Sequence, residues 1–84
     1  MNKRKLLQKA IASPNNFRFA EMRALVEAFG FTLIRVSGSH HIFEHPDIPE
    51  LINIQNIRGQ AKTYQIRQFL NLIERQNLSL GDEP

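Results

Sequence analysis

Several features that would direct an interpretation are missing from this sequence. It contains no cysteine, which excludes disulfides and every metal or thiol site that needs a cysteine ligand. No apolar run approaches the roughly 18 residues that a membrane-spanning helix needs. The basic N-terminal stretch MNKRKLLQKAIASP is interrupted by Lys9 and has no apolar signal-peptide core. These absences predict a cytoplasmic protein that does not enter a membrane.

Two common catalytic frameworks are absent as well. The sequence has no glycine-rich phosphate-binding loop and no Gly-x-Ser-x-Gly nucleophile elbow. Ser37 and Ser39 are close to histidines in the sequence, but without such an elbow they are weak candidates for a nucleophile.

The length and the charge limit the protein to one basic domain. The 84 residues are 42% hydrophobic, which predicts a single folded domain over residues 1–84. There are 11 Lys and Arg against 8 Asp and Glu, and Asp82 and Glu83 lie in a tail, residues 81–84, that we expect to be frayed. Without these two acids the balance is 11 to 6, a net charge of +5. This excess favours an anionic partner such as nucleic acid, although an ordinary basic surface explains it equally well.

Three segments have the spacing of amphipathic helices. The first, residues 3–12, is an accessory N-terminal helix that ends at a proline turn. The second spans residues 20–29 and stops at Gly30, and the third begins near Thr63, a possible N-cap, and ends around residues 76–77. The apolar stripes are Met22, Leu25, Val26 and Phe29 in the second helix and Ile66, Phe69, Leu70 and Ile73 in the third.

Between the second and third helices the pattern changes to that of strands. Residues 31–37 and 40–44 flank a short turn sequence and predict a β-hairpin. Residues 45–50 contain two prolines and predict a turn or loop, whereas residues 51–55 predict a third strand. The order predicts an α+β fold in which a three-stranded antiparallel sheet packs on helices, with an extra N-terminal helix.

Side chains alternate across a strand, so their parity predicts which of them face the helices. In the third strand Ile52 and Ile54 should point at the helices. In the first strand a buried, unpaired Arg35 would be costly, so we expect Ile34 and Val36 inside and Arg35 on the open face.

The same argument separates two neighbouring histidines. Glu44 is the residue of the second strand least suited to burial, and Phe43 is the most suited. His40 shares the parity of Glu44 and is predicted on the open face with Arg35. His41 shares the parity of Phe43 and is predicted on the helix side.

Three histidines within six positions, His40, His41 and His45, raise the question of a metal site. The first two should point to opposite faces of the sheet and therefore cannot chelate one ion. Zinc sites need three or four converging ligands, and no cysteine completes a set. We therefore predict no metal and no cofactor.

One histidine acting as a general acid or base fits the residues better. Imidazole exchanges protons near neutral pH, and RNA carries its own nucleophile in the 2′-hydroxyl group. The protein would then need only a proton acceptor or donor and cations that hold the phosphate. The cationic candidates are Arg35, Arg58, Lys62 and Arg67. From these residues alone, a histidine that ends a hairpin beside solvated cations is the simpler interpretation.

The stretch from Gly38 to Asp47, GSHHIFEHPD, resembles the signature of the HicA toxins, small ribonucleases of HicA–HicB toxin–antitoxin systems. Members carry a Gly-Ser-His-like turn, a strand and often a His-Pro-Asp turn, and the resemblance extends over about residues 18–80. It implies a fold like that of double-stranded-RNA-binding domains and metal-independent cleavage of mRNA. It also implies dependence on one histidine of the turn, and a HicB-like antitoxin that covers the catalytic face.

Residue by residue, the resemblance implies His40 as the catalytic histidine. His41 is the alternative, because some members carry their histidine one place later in the turn. The residues expected to bind RNA are Arg35, Gly38, Ser39, Arg58, Lys62 and Arg67. A non-catalytic RNA-binding module of the same fold and a protein-interaction domain are the alternative functions.

Overall fold

The architecture is given by a computed structural model that describes residues 2–80; the tail predicted to be frayed, residues 81–84, lies outside the described residues. Three helices and a three-stranded antiparallel sheet confirm the predicted α+β fold with its extra N-terminal helix. In chain order the elements are α1 (Lys3–Ala12), a 3-10 turn (Pro14–Asn16), α2 (Phe19–Ala28), β1 (Thr32–Ser37), β2 (His40–His45), β3 (Ile48–Gln55) and α3 (Thr63–Arg75).

The N-terminal helix α1 is capped at its start and buries one side. The side chain of Asn2 accepts a hydrogen bond from the backbone N–H of Lys5 at 2.9 Å, which satisfies one of the free donors of the first turn. Leu6 and Ala10 are buried one turn apart and pack into the common core. This helix is therefore part of the folded unit.

A carboxylate joins α1 to the start of α2. Glu21 Oε2 lies 2.7 Å from Lys9 Nζ, and Glu21 Oε1 accepts the backbone N–H of Arg18 at 3.0 Å. The second contact is half of a capping box, since a guanidinium group cannot accept a bond in return. Burial raises the pKa of Glu21, but the hydrogen bonds from Lys9 and Arg18 outweigh it, so its pKa lies below the ordinary value of 4.5.

The helices α2 and α3 cover one face of the sheet with an aromatic core. All six phenylalanines are buried. The ring of Phe69 on α3 meets the rings of Phe29 and Phe31 edge-on, each at a centroid distance of 5.6 Å. Such edge-to-face pairs contribute about 0.5–1.5 kcal/mol beyond the area that they bury. As predicted, Ile52 and Ile54 of β3 point into this core.

The strands follow one another in the order β1-β2-β3, and each pairs antiparallel with the next. Ser37 lies opposite His40, so the turn between β1 and β2 consists of Gly38 and Ser39 alone. Gly38 has a φ of +60°, the left-handed conformation that a type II′ turn needs at its first central residue. The hairpin bend therefore depends on glycine at this position.

The predicted burial of Ile34 and Val36 is wrong, although Val36 lies opposite His41 and is therefore on the helix side of the sheet. Ile34 is 46% exposed and Val36 is 53% exposed. The register of β1 shifts between Leu33, which lies opposite Phe43, and Arg35, so the strand contains a bulge at Ile34. The bulge resets the alternation, and Leu33 rather than Ile34 packs against the core. Arg35 is on the open face as predicted.

The boundaries of β3 and α3 also differ from those predicted. β3 begins at Ile48, inside the stretch predicted as a loop, because an edge strand tolerates Pro49. The N-cap of α3 is Lys62, not Thr63. The Thr63 hydroxyl instead donates a hydrogen bond to Asn15 Oδ1 at 2.9 Å, which attaches the 3-10 turn to α3.

Candidate functional site

The exposed histidine of the hairpin, His40, is the starting point for the site. It is the first residue of β2 and lies opposite Ser37 of β1 and Gln55 of β3. Its side chain is on the open face, as the alternation predicted. Nδ1 lies 3.1 Å from Oδ1 of Asn53, and an amide oxygen can only accept, so Nδ1 carries the proton of the neutral ring. The second nitrogen, Nε2, is left as the acceptor.

A cation lies beside this histidine on the same face. Arg35 is opposite Ile42, two residue pairs along the ladder from Ser37 and His40. Arg35 and His40 are therefore diagonal neighbours, which places their backbones about 7–8 Å apart and their side chains within reach of one bound group. Asn53 lies opposite Ile42 on the other side, so the arginine and the amide flank the same strand.

The next histidine, His41, is on the opposite side of the sheet, again as predicted. Its ring is half-buried, with its centroid 4.5 Å from that of Phe19. Its Nδ1 lies 3.1 Å from the carbonyl oxygen of Ser39, which also accepts the backbone N–H of Asn56 at 2.9 Å. These contacts join the hairpin bend to the end of β3.

The third histidine, His45, closes the turn between β2 and β3. Its Nδ1 accepts the backbone N–H of Asp47 at 3.0 Å, and its ring centroid lies 5.0 Å from that of Phe31. A Cβ atom on Gly30 would be 3.1 Å from Nε2 of this ring. Within residues 2–80, no three His, Asp or Glu side chains are grouped in a way that could hold a metal ion.

A cluster of amides at the start of α3 was not predicted. Gln65 is only 4% exposed; its Oε1 accepts the backbone N–H of Gln55 at 2.8 Å, and its Nε2 donates to the Gln55 side chain at 3.0 Å. The Tyr64 hydroxyl joins the cluster through longer contacts, 3.5 Å to Gln55 and 3.3 Å from Gln65. One sequence signal existed: Gln65 is four residues before Phe69, on the buried side of the helix, where an amide needs a partner.

Lys62 is the cation that the fold brings to this cluster. It caps α3, is half-buried, and its Nζ lies 5.7 Å from the centre of the Tyr64 ring. The distance is within the range of a cation–π contact. Gln55 contacts Tyr64 and pairs with His40 in the sheet, so Lys62 and Tyr64 lie near the pair of strands that carries His40.

Arg58 and Arg67 are both exposed, and the interactions seen among residues 2–80 do not join either of them to His40. Arg58 is in a tight loop with a φ of +53°. This loop is held to the start of α2, because the Gly59 carbonyl accepts the backbone N–H of Phe19 at 2.9 Å. Arg58 is thus carried by an anchored loop rather than by a free one.

The predicted cations share one electrostatic feature. The ion pairs in the described part of the chain use Lys9, Arg23 and Arg75, each with a glutamate oxygen 2.7–3.5 Å from its nitrogen. Arg35, Arg58, Lys62 and Arg67 have no carboxylate partner among residues 2–80. Their charge is therefore available to a bound anion.

Together, these features define a small α+β protein whose open sheet face carries an exposed histidine and an arginine that has no carboxylate partner among residues 2–80. A family model described as the HicA toxin of bacterial toxin–antitoxin systems matches residues 19–74, two thirds of the chain. The chain belongs to the HicA toxin family. Members are the toxins of toxin–antitoxin pairs and in general ribonucleases, and membership implies a HicB-like antitoxin as partner.

Neither the curated proteins nor the solved structures gave a match to the chain. The family match begins at the first residue of α2, so α1 lies outside it. In the part of the chain that the structure describes, no helix is long and apolar enough to cross a membrane.

Proposed function

We propose that this toxin is a metal-independent endoribonuclease that cleaves mRNA in the cytoplasm and uses His40 as its general acid or base. The observation that supports this most strongly is the position of one ring: His40 is exposed on the open face, and Asn53 holds its Nδ1. Nε2 is thereby available to a proton on a bound substrate.

The proposed reaction begins when the 2′-oxygen of a ribose attacks the adjacent phosphorus. A bond forms from phosphorus to the 2′-oxygen, and the bond to the 5′-oxygen of the next nucleotide breaks. Nε2 of His40 takes the 2′-hydroxyl proton, and a solvent water molecule protonates the departing 5′-oxygen. The hydroxide that remains takes the proton from the His40 ring, which returns the base to its starting state. The products are a 2′,3′-cyclic phosphate and a 5′-hydroxyl end. The substrate supplies its own nucleophile, so the protein has to provide only proton transfer and charge stabilisation.

The cations divide into two groups under this proposal. Arg35 and Lys62 hold the phosphate that reacts: Arg35 is diagonal to His40, and Lys62 contacts Tyr64, whose hydroxyl meets Gln55, the sheet partner of His40. Arg58 and Arg67 extend the positive surface along the rest of the strand. Gly38 and Ser39 form a narrow bend that lets the backbone approach the RNA.

His41 is the second candidate for the catalytic histidine. The case for His40 over His41 is geometric: the His41 ring lies against Phe19, and its Nδ1 donates to the carbonyl of Ser39. A group that completes the hairpin is less free to meet a substrate than one that stands in solvent.

We also propose that the HicB-like antitoxin covers the catalytic face. This face carries apolar side chains beside the charged ones: Leu51 is 55% exposed, and Ile42 is half-buried between Arg35 and Asn53. A partner that buries these side chains would also occlude His40 and exclude RNA.

The decisive experiment is a cleavage assay on single-stranded RNA in EDTA, with the ends of the products identified. We expect products with a cyclic phosphate, and a rate lowered about 10²- to 10⁴-fold in His40→Ala, the usual contribution of a positioned acid or base. RNA that binds and stays intact would make the protein the non-catalytic RNA-binding module instead. Cleavage that stops in EDTA and returns with Mg²⁺ would contradict metal independence alone.

The phosphate contacts need a matched control for charge. Arg35→Gln and Lys62→Gln should weaken RNA binding and lower its dependence on salt by about one counterion each. Arg23→Gln removes the same charge from α2, where Arg23 already pairs with Glu27 at 3.3 Å. Equal effects from all three variants would show that only net charge matters.

A further inference from the structure

The exposed aromatic ring of this protein is Tyr64. The chain has six phenylalanines, one tyrosine and no tryptophan, and every phenylalanine is buried. Tyr64 is 53% exposed at the first turn of α3. Large aromatic side chains usually contribute to a core or to an interface. In residues 2–80 this ring is the one aromatic side chain that the core does not use.

The ring is held by its hydroxyl end rather than by its faces. The hydroxyl donates to Gln55 at 3.5 Å and accepts from Gln65 at 3.3 Å. Gln65 is itself fixed by two hydrogen bonds to Gln55. The contact with Lys62 is the one that involves the π system. The arrangement restrains the ring while leaving much of its surface open to solvent.

The place of the ring relates it to the proposed reaction. Gln55, which contacts the Tyr64 hydroxyl, lies opposite His40 in the sheet. Lys62, next to the ring, is one of the cations without a carboxylate partner. The Tyr64 ring is a flat apolar surface next to a cation, and its hydroxyl contacts the sheet partner of the proposed base. This arrangement matches a nucleotide, which presents a flat base and a phosphate together.

We propose that Tyr64 is a stacking platform for an unpaired base next to the cleaved phosphate, so that the substrate is RNA that is single-stranded at the cleavage site. This inference rests on the proposed function and specifies its substrate. Inside a duplex both faces of a base are covered by its neighbours, so only a base that has left the stack can lie on a protein ring. Lys62 then turns from the ring to the phosphate of the same nucleotide.

The test uses Tyr64 itself as the probe. Because the chain has one tyrosine and no tryptophan, its intrinsic fluorescence reports on this ring alone. A 2′-O-methyl RNA lacks the 2′-hydroxyl group and stays intact, so binding is measured without cleavage. We expect single-stranded 2′-O-methyl RNA to quench the fluorescence and the matching duplex to quench it little. Equal quenching by the two forms, or none by either at saturation, would overturn the proposal.

Substitutions separate the ring from its hydroxyl. Tyr64→Leu should weaken binding of single-stranded RNA about 5- to 150-fold, the loss expected for one stacked base. Tyr64→Phe keeps the ring and should retain most of the affinity. Because the side chain at position 64 is exposed, both variants should fold, and thermal unfolding checks this. The dependence of binding on salt should stay unchanged in Tyr64→Leu, because the ring neutralises no phosphate.

The outcomes also separate this inference from the proposed function. A protein that stacks RNA on Tyr64 and never cleaves it would contradict the nuclease proposal and leave the platform standing. Normal binding and cleavage by Tyr64→Leu would contradict the platform and leave the nuclease standing. If that variant instead lost only its affinity for a HicB-like antitoxin, the ring would belong to a protein interface and the RNA proposal would be overturned.

Discussion

Nδ1 of His40 and Oδ1 of Asn53 lie 3.1 Å apart on adjacent strands of the open face. Because the amide oxygen can only accept, this contact gives the two ring nitrogens different roles: one donates to the protein and the other faces the substrate. Asn53 is thus a positioning residue for the proposed base, and its contribution can be measured separately.

Replacing Asn53 should lower the reaction rate without abolishing it. In Asn53→Leu the ring loses its partner, and kcat should fall up to about tenfold with KM nearly unchanged, the scale of one hydrogen bond. In Asn53→Asp a carboxylate would favour the protonated ring, so the rising limb of the rate–pH profile should move to higher pH. Asn71→Leu is the matched control, because it removes an exposed amide from α3. Wild-type profiles in both Asn53 variants would show that this contact does not act on the base.

The two neighbouring histidines should separate activity from stability. His41→Ala removes the contact with Phe19 and the hydrogen bond to Ser39, so it should lower the free energy of unfolding by about 1–3 kcal/mol. Cleavage per folded molecule should be nearly unchanged. His40→Ala should leave the urea midpoint within experimental error and remove cleavage. A folded but inactive His41→Ala, together with an active His40→Ala, would exchange their roles.

Among the glycines of residues 2–80, Gly30 should tolerate a side chain least well. Its φ is +94°, and an added Cβ atom would lie 3.1 Å from the His45 ring, which Phe31 and Asp47 hold in place. Gly59 has a similar φ of +84°, but nothing lies within 4 Å of an added Cβ atom. Both alanine variants carry backbone strain of about 1–2 kcal/mol, and Gly30→Ala should cost more because of the ring. Urea unfolding measures the difference, and equal losses would show that His45 moves aside freely.

The free energy of unfolding should fall in acid because Glu21 becomes protonated and loses its interactions with Lys9 and Arg18. The pKa of Glu21 in the folded protein is below the ordinary value of 4.5. Its contribution to the free energy of unfolding is therefore complete above pH 4.5 and is lost as the pH falls through the pKa of the folded state. At pH 7, Glu21→Gln should lower the free energy of unfolding by about 1–2 kcal/mol and flatten this acid dependence. Glu27→Gln is the control, since the exposed pair of Glu27 with Arg23 contributes only about 0.3–0.5 kcal/mol. Parallel acid curves for wild type and Glu21→Gln would contradict the assignment.

Sequence patterns were most informative where one residue had strong reasons to be buried or exposed. The preference of Phe43 for burial and of Glu44 for exposure predicted the faces of His40 and His41 correctly, because β2 alternates regularly across these positions. The bulge at Ile34 could not be predicted, since it is a property of the pairing between two strands and not of either strand alone.

The amide cluster shows a second limit of the sequence. Gln55 and Gln65 are ten positions apart and meet only because the end of β3 packs beside the start of α3. β3 is also longer than the sequence pattern predicts. The two prolines in residues 45–50 indicate a loop, but β3 is an edge strand, and an edge strand tolerates Pro49. Partnerships of this kind depend on tertiary packing.

The N-terminal helix has a consequence for how far the family relationship describes a physical unit. The family match starts at Phe19, yet Leu6, Ala10 and Phe17 before it are enclosed in the same interior as the matched residues. A chain cut at that boundary would open the hydrophobic interior to water along the backs of α2 and α3. The residues that share one hydrophobic interior therefore extend beyond the family match on its N-terminal side.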